Sequence, residues 1–320
     1  MDSTRECDAP TATLVRVGRW LQAQRYEFTT VTPTTHAVVL WRRGPAPARD
    51  LRDAFGWNVP FAPDLLPVEV MGWLQEAALA TPTADGLWRA AVRYSTIGTL
   101  LFAHSSFPTD QNESVFFGPD TYRFAALIQR ELGKRPLGAR PRILDVGCGS
   151  GAGGLVAAAA QSRADPLLIL SDISATALAF ARASAALAGV AGVGFVQGDL
   201  FSAVTGEFDL VVANPPYLND EAQRLYRHGG GRWGEDLSLR IVREGLPRLA
   251  SGGRLVLYTG AAIAGGVDSL QDACRSHLSD SDCVWSYEEL DPDVFGEELH
   301  KSTYADVDRI AAVALTVRKP

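Results

Sequence analysis

Two short apolar runs, each ending in residues that cannot continue a strand, constrain the fold of this chain most. Residues 143–151 end in three glycines at alternate positions, and residues 208–217 end in Asn-Pro-Pro-Tyr. An apolar run of this length without polar alternation predicts a parallel strand buried on both faces. An open α/β sheet places its ligands at the carboxyl ends of such strands. The sequence therefore predicts two neighbouring strand ends, one shaped for close approach of a ligand and one carrying a side-chain amide.

The distribution of charge argues against an obligate nucleic-acid surface. The 320 residues carry a net charge of -7, and residues 1–135 balance 14 basic against 14 acidic side chains. The acidic excess therefore belongs to the half that holds the glycine loop. Because nucleic-acid binding normally shows as a basic excess, we expect no strong binding of duplex DNA.

Cysteine usage and the N-terminus bear on the cellular setting. The four cysteines lack disulfide-type or metal-type spacing, which favours a reducing, cytoplasmic setting and no metal site. The polar, acidic N-terminus predicts no signal peptide, and charged residues or glycines interrupt the alanine-rich stretches well short of a membrane span.

Strand-like and helix-like segments alternate from residue 142 onward, which predicts a parallel sheet with helices on both faces. The last strand has no crossover helix before it, so it should run antiparallel. The predicted strands are 142–146, 167–171, 194–197, 210–213, 254–258, 283–287 and 310–317. The predicted helices are roughly 151–161, 174–188, 235–250 and 267–278.

The preceding residues predict a small α+β domain over 1–107, then a linker and a leading helix over 108–141, and a main domain over 142–320. Helices followed by a hairpin resemble a winged-helix module. In such a module the helix at 67–80 would be the recognition helix, but it is acidic and apolar and not basic. We therefore favour a packing domain that covers one end of the main domain. Residues 1–10 are predicted to be disordered. We predict helices at 14–26, 48–55 and 67–80, and strands at 36–41, 87–94 and 99–107, the last two around a turn at 95–98.

The glycine loop predicts a nucleotide-type ligand without deciding which one. Gly147, Gly149 and Gly151 permit a tight turn with positive φ and let a ligand lie against bare backbone, beside the free N–H groups of the next helix. The spacing Gly147-x-Gly149-x-x-Ala152 also satisfies the dinucleotide fingerprint, so NAD remains a competitor on this motif.

Three carboxylates at successive strand ends sharpen the choice. Asp145 lies inside an apolar strand, where burial is costly unless the carboxylate is paired, and an ammonium-bearing ligand such as S-adenosylmethionine would help to offset that cost. Asp172 is placed to accept hydrogen bonds from ribose hydroxyls and Asp199 from an adenine amino group. Helix capping and turn formation are the alternative roles for the latter two.

The Asn-Pro-Pro-Tyr segment predicts the reaction. Two prolines hold the chain extended, so the Asn214 amide oxygen and the Pro215 carbonyl can accept hydrogen bonds from one planar –NH2 group. Such a nitrogen is a poor nucleophile, and two fixed acceptors support the positive charge that grows as it attacks a sulfonium methyl. Tyr217 offers a flat face for stacking.

Residues from about 115 to 320 resemble the class I S-adenosylmethionine-dependent methyltransferases. Within that class they resemble the small methyltransferase group with an Asn-Pro-Pro-Tyr signature, which includes the glutamine methyltransferases of release factors and amino-group methyltransferases of adenine or guanine. The matching residues are 145–151, Asp172, Asp199 and 214–217. The resemblance implies a Rossmann-like sheet of order 3-2-1-4-5-7-6 with strand seven antiparallel, and S-adenosylmethionine converted to S-adenosylhomocysteine.

The predicted site follows from these matches. Asn214, Pro215 and Tyr217 are the predicted catalytic residues. The predicted cofactor-binding residues are Asp145, Gly147, Cys148, Gly149, Gly151, Asp172, Ile173, Asp199, Leu200 and Asn214. On the substrate side we predict Phe117, Thr121, Pro216, Arg232 and Trp233.

The last two substrate-side residues lie in the glycine-rich segment 229–234, which we interpret as a mobile lid or an exposed connecting loop. The segment 117–122 is similar to the Pro-Arg-Pro-Glu-Thr-Glu segment of the release-factor enzymes in its Pro and Thr alone.

The predicted function is N-methylation of a planar amino or amide nitrogen, on a protein Gln or Asn side chain or a nucleobase amine. The acceptor is then a protein, an RNA or a small molecule. Two other classes stay open: an NAD-dependent oxidoreductase, which leaves Asn-Pro-Pro-Tyr without a role, and a non-catalytic adaptor that retains a cofactor fold.

Overall fold

A computed structural model describes residues 9–320 of the chain. Its strands are β1 Ala80–Pro82, β2 Trp88–Ala90, β3 Val92–Ile97, β4 Leu100–Ser105, β5 Arg142–Val146, β6 Leu167–Asp172, β7 Gly194–Gln197, β8 Phe208–Ala213, β9 Leu249–Ala264, β10 Val267–Asp268, β11 Val284–Asp291 and β12 Arg309–Arg318. Its α-helices are α1 Ala9–Ala23, α2 Pro33–Arg43, α3 Leu51–Phe55, α4 Val68–Glu76, α5 Pro119–Lys134, α6 Ala152–Ala160, α7 Ala175–Ala188, α8 Asp236–Gly245 and α9 Ser269–Leu278.

The central sheet has the predicted strand order. Its strands run β7-β6-β5-β8-β9-β12-β11, which is 3-2-1-4-5-7-6 when the strands from β5 onward are numbered without the short β10. The pairs from β7 to β9 are parallel, whereas β12 is antiparallel to both of its neighbours. Val146 pairs with Ser171 on one side and Ala213 on the other, so the carboxyl ends of β5, β6 and β8 lie in line.

Helices cover both faces of this sheet, which explains the absence of polar alternation in its central strands. One hydrophobic cluster joins the sheet to α5, α6 and α7, and the other joins it to α8 and α9. Residues 143–146 of β5 and 210–213 of β8 are buried. The two apolar runs are therefore central strands, as predicted.

The N-terminal helices and hairpins form a third cluster, which packs on α7. A methyl group on Gly18 of α1 would lie 2.5 Å from Leu187 of α7, so the two helices are in close contact. In β4, the Ala103 N–H donates to Ser184 Oγ of α7 at 3.3 Å. The β3–β4 hairpin thus packs against the main sheet's helix layer and does not project as a wing. The boundaries at residues 107 and 141 stay a prediction.

The prediction of a strand at residues 36–41 is wrong, because these residues belong to α2. Helix-terminal signals decide the conformation there: Pro33 occupies the first turn, Thr32 Oγ1 accepts from the Thr35 N–H at 3.2 Å, and Gly44 ends the helix with φ +70°. The valines at 38 and 39 suggested a strand, but tertiary burial is limited to His36.

Several smaller predictions also need correction. The predicted strand 87–94 is two strands, because β2 pairs with β1 while β3 pairs with β4. Residues 95–97 belong to β3, since Ile97 pairs with Leu100, so the hairpin turn is 98–99 and not 95–98. Strand β9 extends well beyond the predicted 254–258 because its far half pairs with β12. The predicted disordered segment 1–10 lies outside the described residues except for Ala9 and Pro10, which begin α1.

Within residues 9–320, no helix is long and apolar enough to cross a membrane. In the same range Cys148, Cys274 and Cys283 are free thiols. No group of three or more His, Cys, Asp or Glu side chains in this range is arranged to hold a metal ion. The cytoplasmic setting stays a prediction.

Candidate active site

A cavity of about 490 Å³ opens at the carboxyl ends of the central strands. Its two ends belong to different strands. The glycine-loop end is formed by 145–150, 172–174 and 198–200, after β5, β6 and β7. The amide end is formed by 116, 120–121, 214–218, 223, 225–228 and 295, mostly after β8. The two strand ends predicted from sequence therefore line one cavity.

The loop after β5 has the conformation that its glycines predict. Gly147 and Gly149 have φ of +66° and +54°, where a side chain is strained. A methyl group on Gly147 would meet no atom within 4 Å, and one on Gly149 would meet only Val115, at 3.7 Å. Space is therefore left beside bare backbone at the cavity wall. Cys148 lies between them with its N–H donated to Ser171 O at 3.0 Å.

Asp145 is buried beneath this loop. Its Oδ2 accepts from the Gly154 N–H in the first turn of α6 at 2.7 Å. Burial raises the pKa of the Asp145 carboxyl to about 7, and the Gly154 hydrogen bond acts in the opposite direction. A carboxylate with one hydrogen bond in an apolar strand favours a cationic ligand nearby.

The pair Gly153 and Gly154 was not singled out from the sequence, yet it makes this contact possible. A methyl group on Gly153 would lie 2.5 Å from the Phe124 ring, and one on Gly154 would lie 2.6 Å from Leu170. A glycine inside a helix lowers helix stability by about 1 kcal/mol relative to Ala, so two adjacent glycines indicate that something packs closely there. This was the signal that the sequence offered.

Asp172 holds the glycine loop in place at the end of β6. Its Oδ2 accepts from the Gly149 N–H at 2.9 Å and its Oδ1 from the Ser174 N–H at 2.9 Å. Burial raises the pKa of the Asp172 carboxyl, and these backbone hydrogen bonds oppose that shift. Each oxygen keeps a second lone pair that can face the cavity. Beside it the apolar side chain of Ile173 is 51% exposed, which suits contact with a flat ring.

Asp199 lines the cavity but already has a partner. Its two oxygens accept from the Arg240 guanidinium at 2.9 and 3.3 Å, and Arg240 also donates to Glu244 at 3.0 Å. The predicted hydrogen bond to an adenine amino group therefore shares this carboxylate with Arg240. No sequence spacing relates Arg240 on α8 to the end of β7. Leu200 follows in the cavity wall with φ +47°.

Among the predicted site residues near the glycine loop and the leading helix, Gly151 and Phe117 do not line the cavity. Gly151 begins α6 with φ +82°, and a methyl group there would face Leu155 and Leu170 in the core. Gly151 therefore permits the turn into α6 and does not contact a ligand in the cavity. Phe117 is buried in the core, with its ring stacked on His104 at a centroid distance of 4.9 Å, so the geometry does not support substrate contact. Thr121 does line the cavity, and its Oγ1 also accepts from the Gly118 N–H at 3.2 Å.

The Asn214 side chain is half-buried at the amide end. Within residues 9–320 its amide makes no hydrogen bond, whereas the carboxylates of the glycine-loop end all do. Pro215 and Pro216 follow it in the cavity wall. A half-buried amide without an internal partner is available to a ligand.

Tyr217 is largely packed into the protein. Its ring meets Tyr258 and Phe295 edge-on, at centroid distances of 6.5 and 5.9 Å, and lies over Gly260, where a methyl group would be 2.3 Å away. Burial raises the pKa of the Tyr217 hydroxyl, and the nearby Asp120 carboxylate adds to this shift. The hydroxyl is buried without a hydrogen-bond partner in the described chain. Stacking of a ligand on this ring stays a prediction.

The glycine-rich segment 229–234 is held tightly in the structure. A methyl group on Gly229 would lie 2.6 Å from Pro216 O, and one on Gly234, where φ is +112°, would lie 2.3 Å from Tyr217 O. These glycines are explained by close backbone approach, so the mobile-lid interpretation is not supported. Neither Arg232 nor Trp233 is among the cavity-lining residues. Arg232 instead pairs with Asp306 at 2.5 Å.

Sequence reasoning missed Asp120, a buried carboxylate at the amide end. Its Oδ1 accepts from the Tyr258 hydroxyl at 2.6 Å and from Arg123 Nη1 at 3.2 Å. The signal was its position between two predicted site residues, Phe117 and Thr121. His228 also lines the cavity, and its Nδ1 accepts from the Asp220 N–H at 3.2 Å, which leaves the proton of the neutral ring on Nε2.

The strand order, the glycine loop and the buried carboxylate beneath it define a class I S-adenosylmethionine-dependent methyltransferase domain. In agreement, residues 123–264 match the methyltransferase small domain family. The predicted class is thus confirmed, and S-adenosylmethionine is the cofactor of that class.

Two curated relatives are similar over the same part of the chain. The release factor glutamine methyltransferase of Deinococcus radiodurans is 39% identical over 128 residues, which are 37% of this chain and 45% of that protein. The ribosomal RNA small subunit methyltransferase C of Enterobacter sp. (strain 638) is 35% identical over 122 residues, 38% of this chain and 32% of that protein. The chain thus spans less than half the length of either relative.

Among solved structures, Trm5b from Pyrococcus abyssi is similar in fold, with a TM-score of 0.50 and 11% identity over 79% of this chain and 71% of that one.

Proposed function

We propose that the protein is an S-adenosylmethionine-dependent N-methyltransferase whose acceptor is a planar amino or amide nitrogen held by Asn214 and Pro215. One observation carries this proposal. The Asn214 amide is half-buried at the wall of the cofactor cavity and, within residues 9–320, has no hydrogen-bond partner. The next residues are two prolines, which restrict the backbone that carries this side chain.

The glycine-loop end fits S-adenosylmethionine. The space above Gly147 admits a ligand against the backbone, the buried Asp145 suits a nearby ammonium group, and exposed Ile173 suits a nucleoside ring. When bound, S-adenosylmethionine supplies a methyl group on a positively charged sulfur. The residues of the amide end would then position the nitrogen that receives it.

The chemistry required of the amide end is orientation and charge stabilisation. The lone pair of a planar –NH2 nitrogen is delocalised, so two acceptors, Asn214 Oδ1 and Pro215 O, would draw its hydrogens out of the plane. Methyl transfer would form the N–C bond and break the S–C bond, with its electron pair left on sulfur, so positive charge would grow on the nitrogen. The oxygens of Asn214 and Pro215 would stabilise that charge, and the nitrogen would then lose a proton to water.

The named relatives act on a release-factor glutamine and on ribosomal RNA, both of which offer a planar –NH2 group. A protein, an RNA and a small molecule therefore all remain acceptors that fit the proposal. An NAD-dependent oxidoreductase leaves the free Asn214 amide without a role. A non-catalytic adaptor leaves both ends of the cavity without one.

Transfer of labelled methyl to a cell extract tests the proposal. We expect label from S-adenosylmethionine to enter a protein, nucleic-acid or small-molecule fraction that is sensitive to protease, nuclease or neither. Extract without the protein sets the background. An absence of transfer by protein that binds S-adenosylhomocysteine would rule out the proposed activity.

A further inference from the structure

We propose, on the basis of the proposed function, that the acceptor nitrogen is carried on an aromatic ring and that Phe116 and Tyr226 receive this ring. Both side chains line the amide end of the cavity. Their rings lie within 12° of parallel, with centroids 6.4 Å apart. The ligand would be an amino-substituted heteroaromatic ring, the chemistry shared by adenine, cytosine and guanine.

Two near-parallel rings at a centroid distance of 6.4 Å form an offset stack, within the usual range of aromatic pairs. A third ring can extend this stack at the cavity wall, where carbon atoms in contact lie about 3.5 Å apart. Base–aromatic stacking needs only a flat face on each side and suits every nucleobase.

Contacts outside the cavity fix both rings in place. A methyl group on Gly118 would lie 2.5 Å from Phe116 Cζ, so the glycine leaves room for that ring. The Tyr226 hydroxyl donates to Thr109 O at 2.5 Å, and the Arg224 guanidinium lies 5.7 Å from the ring centroid. Because the rings are held before a ligand arrives, stacking costs little further ordering.

Backbone hydrogen bonds connect the Tyr226 segment to the Asn-Pro-Pro-Tyr segment. The Leu218 N–H donates to Arg227 O at 3.2 Å, and the Gly229 N–H donates to Leu218 O at 2.9 Å. The position of the stacking face is therefore coupled to that of Asn214. An amino-substituted ring could use both features at once, whereas a glutamine side chain would use the amide site and leave the two ring faces uncovered.

Charges near Tyr226 do not favour a polyanion over a free nucleoside. Arg224 pairs with Asp220 at 2.6 Å, and Arg227 pairs with Glu298. An RNA base and a free nucleoside are two sources of the same ring chemistry, and the experiment distinguishes them.

The test is to identify the methylated product and measure transfer by ring variants. Total RNA, the small-molecule fraction and the protein fraction of a cell extract are labelled separately, digested to nucleosides or amino acids, and analysed by mass spectrometry. We expect an N-methylated heteroaromatic amine, from RNA or from the small-molecule fraction according to the source. N-methylglutamine as the product would overturn this inference while leaving the proposed function intact, and no product in any fraction would fail the proposed function itself.

The ring variants test the residues. Phe116→Leu and Tyr226→Leu should each lower kcat/KM for the labelled acceptor about 10-fold to 100-fold, since loss of one stacking face weakens base binding to this extent. The matched control Tyr226→Phe keeps the ring and loses the hydroxyl, and should retain most activity. Unchanged affinity for S-adenosylhomocysteine shows that each variant is folded. Equal losses in Tyr226→Phe and Tyr226→Leu, or no loss in either leucine variant, would contradict the stacking role.

Discussion

The two ends of the cavity differ in how their polar groups are satisfied. At the glycine-loop end, Asp145 and Asp172 accept backbone hydrogen bonds, and Asp199 is paired with Arg240. At the amide end, the Asn214 amide and the Tyr217 hydroxyl have no partner within residues 9–320. The fold therefore satisfies the polar groups of the glycine-loop end by itself and leaves the Asn214 amide available for the substrate that we propose.

The largest expected effect comes from the amide end. Asn214→Ala removes one oriented acceptor from the transition state, so single-turnover methyl transfer should fall about 100-fold to 1,000-fold. Affinity for S-adenosylhomocysteine, measured by calorimetry, should change little, because the predicted cofactor-binding residues other than Asn214 lie after other strands. Asn214→Asp keeps an acceptor oxygen and should retain partial activity. Wild-type rates in Asn214→Ala would show that Asn-Pro-Pro-Tyr only ends the strand.

Substitutions at the glycine-loop end are expected to weaken cofactor binding, in contrast to those at the amide end. Gly149→Val places a β-branched residue at φ +54° in the cavity wall and should weaken S-adenosylhomocysteine binding on the order of 100-fold. Asp172→Ala releases the Gly149 and Ser174 N–H groups and should also weaken binding, as calorimetry would show. Unaltered affinity in both variants would mean that this loop does not hold the cofactor.

The strand order was predictable because buried parallel strands have a strong sequence signature. The runs at 143–146 and 208–213 are apolar except for Asp145 and Asp209, and each stops at residues with a definite backbone role. The glycine loop and its carboxylates could be placed for the same reason. In contrast, 36–41 was predicted as a strand because the capping of α2 by Thr32 and Gly44 was overlooked.

Contacts between distant segments could not be predicted. The Asp199–Arg240 pair joins the end of β7 to α8, and Asp120 meets Tyr258 across 138 positions of sequence. The glycines of 229–234 looked like a flexible lid, since composition does not distinguish mobility from close backbone packing. The burial of Phe117 likewise depends on the N-terminal hairpin, whose docking no local pattern shows.

The free energy of unfolding of a glycine variant tests whether segment 229–234 is packed or mobile. Gly234→Ala adds a methyl group 2.3 Å from Tyr217 O at φ +112°, so the free energy of unfolding should fall by about 1–3 kcal/mol. Gly133→Ala is the matched control: it lies within α5 with no atom in reach, and should be neutral or stabilising by about 1 kcal/mol. Equal stability of the two variants in urea denaturation would favour a mobile lid.

The smallest effect concerns Asp145, whose pKa burial raises to about 7 from the ordinary value of 3.8. A raised pKa favours the neutral carboxyl, so its contribution to stability is full below pH 3.8 and is lost as pH rises through 7. A cofactor ammonium group would favour the ionised form. Affinity for S-adenosylhomocysteine should therefore increase, by up to about tenfold, between pH 6 and 8. Calorimetry should show no such increase in Asp145→Asn, and equal slopes in both proteins would contradict this role.

The most direct test of the account is calorimetric titration of the unaltered protein with S-adenosylhomocysteine and, separately, with NADH. We expect binding of S-adenosylhomocysteine with a Kd in the micromolar range and no binding of NADH, because we assign the cofactor site of a methyltransferase to the glycine loop, Asp145 and Asp172. Binding of NADH without binding of S-adenosylhomocysteine would contradict it.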